Sequence, residues 1–132
     1  TPTFAIGPDA TSTVYLCAPV RLHGQIHNAT VTAPRWAQPG DGAEYLLNVR
    51  QAGRYDVEIE CRGAKAGAEM TVRFQVGESE LLATFDDAKG GELGRIELPQ
   101  GDCRLQVELV STDAEPPADP SRLITLTFRL EG

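Results

Sequence analysis

The chain has 132 residues, 41% hydrophobic and only 6% aromatic, with 12 Lys and Arg against 19 Asp and Glu for a formal net charge of −7. Its length is that of one domain, enough to bury about two-thirds of the unfolded surface in one core. The negative charge repels phosphate backbones and anionic membranes, and no apolar run approaches the ~20 residues of a membrane span, so neither nucleic acid nor the membrane is expected as a partner. In chain order, residues 4–6 start a sheet, and 13–17 and 21–27 read as further strands. A long connection, 28–43, precedes the clearest signal. Tyr45, Leu47 and Val49 alternate with Glu44, Leu46 and Asn48, and after a Gln-Ala-Gly turn Tyr55, Val57, Ile59 and Cys61 alternate with Asp56, Glu58 and Glu60. Period-2 alternation of this kind describes strands with one buried and one wet face. Strands at 70–76, 80–85, 95–98, 104–110 and 123–130 follow the same rule, and no amphipathic helix is evident. Many short strands separated by Gly, Pro and Asp turns predict an all-β antiparallel sandwich of jelly-roll type, residues 1–132 forming a single domain.

Loop parity locates any site. The connections at 51–54, 77–79 and 99–102 are short, and those at 28–43, 62–68, 86–94 and 111–122 are long. If consecutive strands run antiparallel, the two kinds alternate and all four long loops share one end, where sandwiches carry recognition.

The first ten residues, TPTFAIGPDA, lack the basic start and apolar core of a signal peptide. A chain opening on Thr1 reads as a domain excised from a larger protein. Three cysteines, Cys17, Cys61 and Cys103, stand in no metal or redox spacing. Cys61 and Cys103 continue inward phases and read as small core hydrophobes, with a bridge between them open if their strands meet.

Enzymatic signatures are missing: no GxSxG, no HExxH, no Gly-rich phosphate loop and no Ser-His-Asp context. The domain itself is therefore read as non-catalytic. His23 and His27 lie four apart in a strand-like segment without a third ligand, a weak metal signal. Asp86-Asp87 could be an acid/base pair, but adjacent strand residues face opposite ways and FDDAKGG is a good turn sequence. Trp36, the only tryptophan, falls in the longest loop. It either plugs the end of the sandwich or offers a platform for the apolar face of a sugar ring. On the second reading Arg35, Asp41, Asp86 and Asp87, with Asp113 near them, supply hydroxyl partners. Clustered carboxylates with loop carbonyls could equally hold a structural Ca²⁺. Asn28-Ala29-Thr30 matches the glycosylation sequon, a short and common pattern.

Several segments carry a resemblance. Leu22-His23-Gly24, the loop with Trp36 and Gly40-Asp41-Gly42, the Tyr45 to Val49 strand and Ala52-Gly53-Arg54-Tyr55-Asp56-Val57 resemble the galactose-binding-domain-like β-sandwich. Residues 67–77, a strand leading to a tight turn, and 94–101, a strand ending in Pro-x-Gly, resemble later parts of it. The likeness spans about 22–130 and is similar to the non-catalytic, carbohydrate-binding-module-like domains appended to secreted bacterial α-L-fucosidases and sulfatases. Sugar-binding members often carry a second Trp at the position held here by Tyr45, whose inward phase assigns it to packing. The resemblance implies a carbohydrate-binding or substrate-targeting accessory domain of an extracellular or periplasmic glycan-degrading enzyme. Its partners would be a carbohydrate or the neighbouring catalytic domain. The alternative is an interdomain packing module with no ligand. An exposed Trp36 beside a cleft favours recognition, and a buried one favours scaffolding.

Overall fold

The structure is a computed structural model, and it describes residues 2–24, 35–36, 38–62, 68–113 and 121–131, with backbone alone at 35, 62, 121 and 122. Eleven strands are present in it: β1 (Thr3–Ile6), β2 (Ser12–Tyr15), β3 (Arg21–His23), β4 (Arg35–Trp36), β5 (Gly42–Val49), β6 (Gly53–Arg62), β7 (Glu69–Val76), β8 (Ser79–Asp86), β9 (Gly91–Leu98), β10 (Gly101–Thr112) and β11 (Ser121–Leu130). They form two facing sheets. One has the order β1-β5-β10-β7-β8 with β3 also on β5; the other runs β2-β11-β6-β9 with β4 also on β11. All pairings are antiparallel except β1 with β5. This is the all-β sandwich expected from the alternation.

The inward phases meet between the sheets. Tyr45, Leu47, Val72, Phe74, Leu105, Val107 and Leu109 from the first sheet pack against Tyr55, Val57, Ile59, Ile96, Leu126 and Phe128 from the second, all at most 3% exposed. Burying a side chain of this kind contributes about 1.5–3 kcal/mol, so these positions hold the fold. Both buried tyrosines satisfy their hydroxyls: Tyr45 donates to the Leu16 carbonyl at 2.8 Å and Tyr55 to that of Gln51 at 2.7 Å.

Register fixes the two ends. Val49 faces Gly101, Gly53 faces Leu98 and Val76 faces Ser79, so the three short turns share one end. At the other end Gly42 faces Glu108, Glu69 faces Asp86, and Arg62 faces Arg122. The strand ends that bound the four long connections therefore lie together.

Several boundaries differ from expectation. Residues 86–94 were expected as one long loop, yet β9 already begins at Gly91. Val57 pairs with Gly94 and Glu58 with Glu92, leaving Leu93 as an extra, bulged residue. A bulge resets the alternation, which hid this half of the strand. Gly94 carries it at φ 137°, a conformation L side chains rarely adopt. Arg35 and Trp36 were assigned to a loop and instead form β4 against Ser121 and Arg122. The strand expected at 21–27 is present from Arg21 to His23, and His27 and the Asn28 sequon lie outside the described residues.

Candidate functional site

The long-loop end was expected to carry the ligand, through Trp36, Arg35, Asp41, Asp86 and Asp87. Trp36 is 1% exposed and belongs to the core. No ring face is open to a sugar, and its Nε1–H finds no acceptor among the described residues. Arg35 sits beside it on β4, paired through its backbone with Arg122. Asp41 is also buried: its Oδ2 accepts the Gln38 N–H at 2.9 Å, while its carbonyl accepts from Leu109 N–H at 2.8 Å. Gly40 N–H donates to the Leu109 carbonyl at 2.9 Å, so this segment is strapped to β10.

Asp86 and Asp87 divide a turn between them. Asp86 Oδ1 accepts the Ala88 N–H at 2.8 Å, the side-chain bond of an Asx turn, and its carbonyl accepts from Gly90 N–H at 2.9 Å. Gly90 closes that turn at φ 63°, where a Cβ would stand 2.4 Å from the Ile59 carbonyl oxygen. Asp87 points the other way and is fully buried. Its Oδ1 accepts the Ala68 N–H at 2.7 Å and its own N–H donates to the Ala68 carbonyl at 2.8 Å, tying the β8–β9 turn to the start of β7. Thus the turn reading of Asp86-Asp87 is the one the geometry carries, and the aspartates at this end act on backbone N–H groups.

Those same aspartates were the candidates for Ca²⁺. Among the described residues no group of three or more His, Cys, Asp or Glu side chains converges on one point. The three cysteines are free thiols. Cys61 lies near the long-loop end and Cys103 near the short-turn end, which leaves no bridge between them. Burial, with the charges of Asp87, Asp86 and Glu60, pushes the Cys61 thiol up to about 11, and burial beside Asp102 raises that of Cys103. Both are poor nucleophiles, as core residues would be.

Among the described residues, open space lies on the outer faces of the sheets. On the five-stranded sheet a cavity of about 440 Å³ is lined by Asp56, Glu58, Glu92, Arg95, Thr127 and Arg129 among others. Glu58 and Glu92 face each other across β6 and β9 there, a like-charge pairing that favours neither strand. On the six-stranded sheet a groove of about 280 Å³ is lined by His23, Glu44, Arg73, Gln75, Gln106 and Glu108, with Gly40, Gly42 and Ala43.

The groove has an ordered floor. Glu44, although outward in phase, is only 7% exposed, with β3 paired alongside it and the His23 and Arg104 side chains on its carboxylate. The imidazole N–H of His23 donates to its Oε2 at 2.5 Å, and Arg104 donates to its Oε1 at 3.2 Å. Burial pushes the Glu44 carboxyl up, but the bonds and charges of His23 and Arg104 outweigh it and hold the group below its ordinary value. On the far side Arg73 donates to Glu80 at 2.8 Å and to Glu108 at 2.7 Å. Of these residues sequence reasoning singled out only His23 as a candidate for a site; Glu44, Arg73 and Arg104 were read as outward positions, the arginines in cross-strand charge pairing. They are ordinary outward positions of alternating strands, and only pairing register brings them into one place.

No protein-family model matches the chain, and no curated protein sequence matches it. Solved structures do. The chain is similar to a β-glucosidase from Paenibacillus barengoltzii (TM-score 0.54, 15% identity), over 96% of this chain but only 11% of that one. It is similar to a carbohydrate-binding module, CBM36, in complex with calcium and xylotriose (TM-score 0.64, 15% identity), over 88% of this chain and 98% of the module. A third is the CBM36-1 domain of a multidomain xylanase from the hindgut metagenome of Trinervitermes trinervoides (TM-score 0.66, 11% identity), over 93% and 99%. At these identities the likeness establishes the fold: this chain has the β-sandwich found in carbohydrate-binding modules.

Proposed function

We propose that this chain is a non-catalytic, carbohydrate-binding accessory domain that keeps a glycan-degrading enzyme near its substrate. The observation that carries this reading is the end-to-end fit to two carbohydrate-binding modules, 98% and 99% of whose length this chain spans. Such a match is to a whole module and not to a fragment of a catalytic barrel. The parent enzyme would be exported, of the fucosidase or sulfatase kind that the sequence resembles. In this reading Arg35, Trp36, Asp41, Asp86 and Asp87 frame the long-loop end, and affinity for a glycan lies in the range of about −4 to −8 kcal/mol, millimolar to micromolar. The test is a glycan-array screen of the folded domain, with and without Ca²⁺. Hits on one sugar class are expected. A blank array would sink the reading.

One observation favours a second reading. The single tryptophan is 1% exposed and serves as core, as a domain that braces its neighbour without a ligand would have it. Under that reading the array stays blank, and removing the domain lowers the melting temperature of the parent enzyme.

A further inference from the structure

We infer that the ligand-binding face is the groove on the outer face of the six-stranded sheet, and that its ligand is an uncharged, hydroxyl-rich glycan; this rests on the carbohydrate-binding reading above. The first support is geometric. Glu44 of β5, Gln106 of β10 and Gln75 of β7 stand directly opposite one another in register, forming one row across three strands. Neighbouring strands lie about 4.8 Å apart, so the row presents polar groups at regular intervals along a line. The adjacent row holds His23, Gly42, Glu108 and Arg73. Gly42 has no side chain, and a Cβ there would stand 3.0 Å from the Val107 carbonyl oxygen, between His23 and Glu108.

The second support is the hydrogen-bonding inventory. Gln106 makes no side-chain bond among the described residues, and Gln75 uses its NH₂ only in a 3.3 Å bond to the Gly77 carbonyl. Each planar amide therefore still offers a donor and an acceptor, the pair that two vicinal hydroxyls accept and donate to. The His23 side chain, 45% exposed, adds a planar ring at the groove edge.

Charge sets the class of ligand. Glu44 is answered by His23 and Arg104, and Arg73 by Glu80 and Glu108. Arg73, in the groove lining, and Arg104, beside Glu44, are both committed to carboxylates, so a uronate or sulfate would find no unpaired guanidinium in that lining without breaking an existing pair. Arg21 lies opposite Glu44 in register but is not part of the groove lining. The overall charge of −7 further opposes an anionic chain. The larger cavity on the other sheet carries Glu58 and Glu92 face to face and offers no neutral amide.

The experiment measures binding of neutral gluco-, xylo-, manno- and galacto-configured oligosaccharides beside uronate-containing and sulfated ones. It uses the wild-type chain, the Gln75→Ala/Gln106→Ala double variant, and Glu60→Ala on the opposite sheet as a control. Both glutamines face solvent, so the double variant folds. Wild type and control should bind a neutral glycan equally, and the double variant should bind it roughly tenfold or more weakly, given two lost hydrogen-bonding side chains. The side-chain NH₂ resonances of Gln75 and Gln106 should shift on titration. If the double variant binds like wild type with those resonances unmoved, the groove is not the site while the carbohydrate reading stands. A preference for the acidic glycans overturns the ligand class. No binding to any glycan removes both readings together.

Discussion

The long-loop end and the outer face of the six-stranded sheet are both rich in polar side chains, yet they direct them in opposite ways. At the loop end Asp41 and Asp87 are turned inward onto backbone N–H groups and Trp36 fills the core behind them. On the sheet face Gln75 and Gln106 point outward with amide groups still available, over ion pairs that cancel one another. The difference teaches that residue type does not distinguish a binding group from a structural one. What distinguishes them is whether the polar atoms are already satisfied by the chain itself.

The largest effect should come from the loop end. Trp36→Ala removes a buried indole and should destabilise the domain by about 3–5 kcal/mol, read from the shift in urea midpoint. In the wild type, acrylamide should scarcely quench the tryptophan emission; strong quenching would return the indole to solvent and revive the stacking-platform reading. Asp87→Ala comes next. It leaves the Ala68 N–H without its acceptor and should cost about 1–3 kcal/mol. A neutral result there would mean that the loop end is not held by its aspartates.

The sheet face should respond to acid instead. The folded-state carboxyl of Glu44 lies below its ordinary value of 4.5, so its pairing adds stability above that pH, and the contribution is lost as pH falls through the lower, folded value. Wild type should therefore exceed Glu44→Gln in stability near neutrality, with the gap closing in acid. A gap that is constant with pH would show that the His23–Glu44–Arg104 cluster is not coupled to folding. The smallest effect belongs to Gln106→Ala, within about 0.5 kcal/mol of wild type in stability. A larger loss would mean that Gln106 is structural and would erase the contrast between the two regions.

Most of the fold was legible in the sequence because alternation and burial are the same information in a half-buried sheet. Tyr45, Val57 and Phe74 could be assigned inward from period alone, and all three are. Loop parity followed from turn length and agrees with the pairing of Val49 with Gly101 and of Glu69 with Asp86. What failed was local. Leu93 bulges and breaks the period of β9, and a two-residue strand such as β4 has no period to read. The site was harder still. Asp87 and Gln106 are equally plausible on paper, and only the register across β5, β10 and β7, which no single strand encodes, places Gln106 in a row while Asp87 turns inward. The likeness to carbohydrate-binding modules establishes the fold and chooses no face of the sandwich.

The bulge at Leu93 has a bearing on the life of the chain outside its fold. Among the described residues, strand β9 ends the five-stranded sheet and pairs there with β6 alone. An open edge is a template on which another copy can add a strand, the first step of aggregation. With Leu93 out of register, Gly94 at φ 137° and Glu92, Arg95 and Glu97 along its length, that edge is kinked and charged. An edge so shaped discourages another copy of the chain from adding a strand to it.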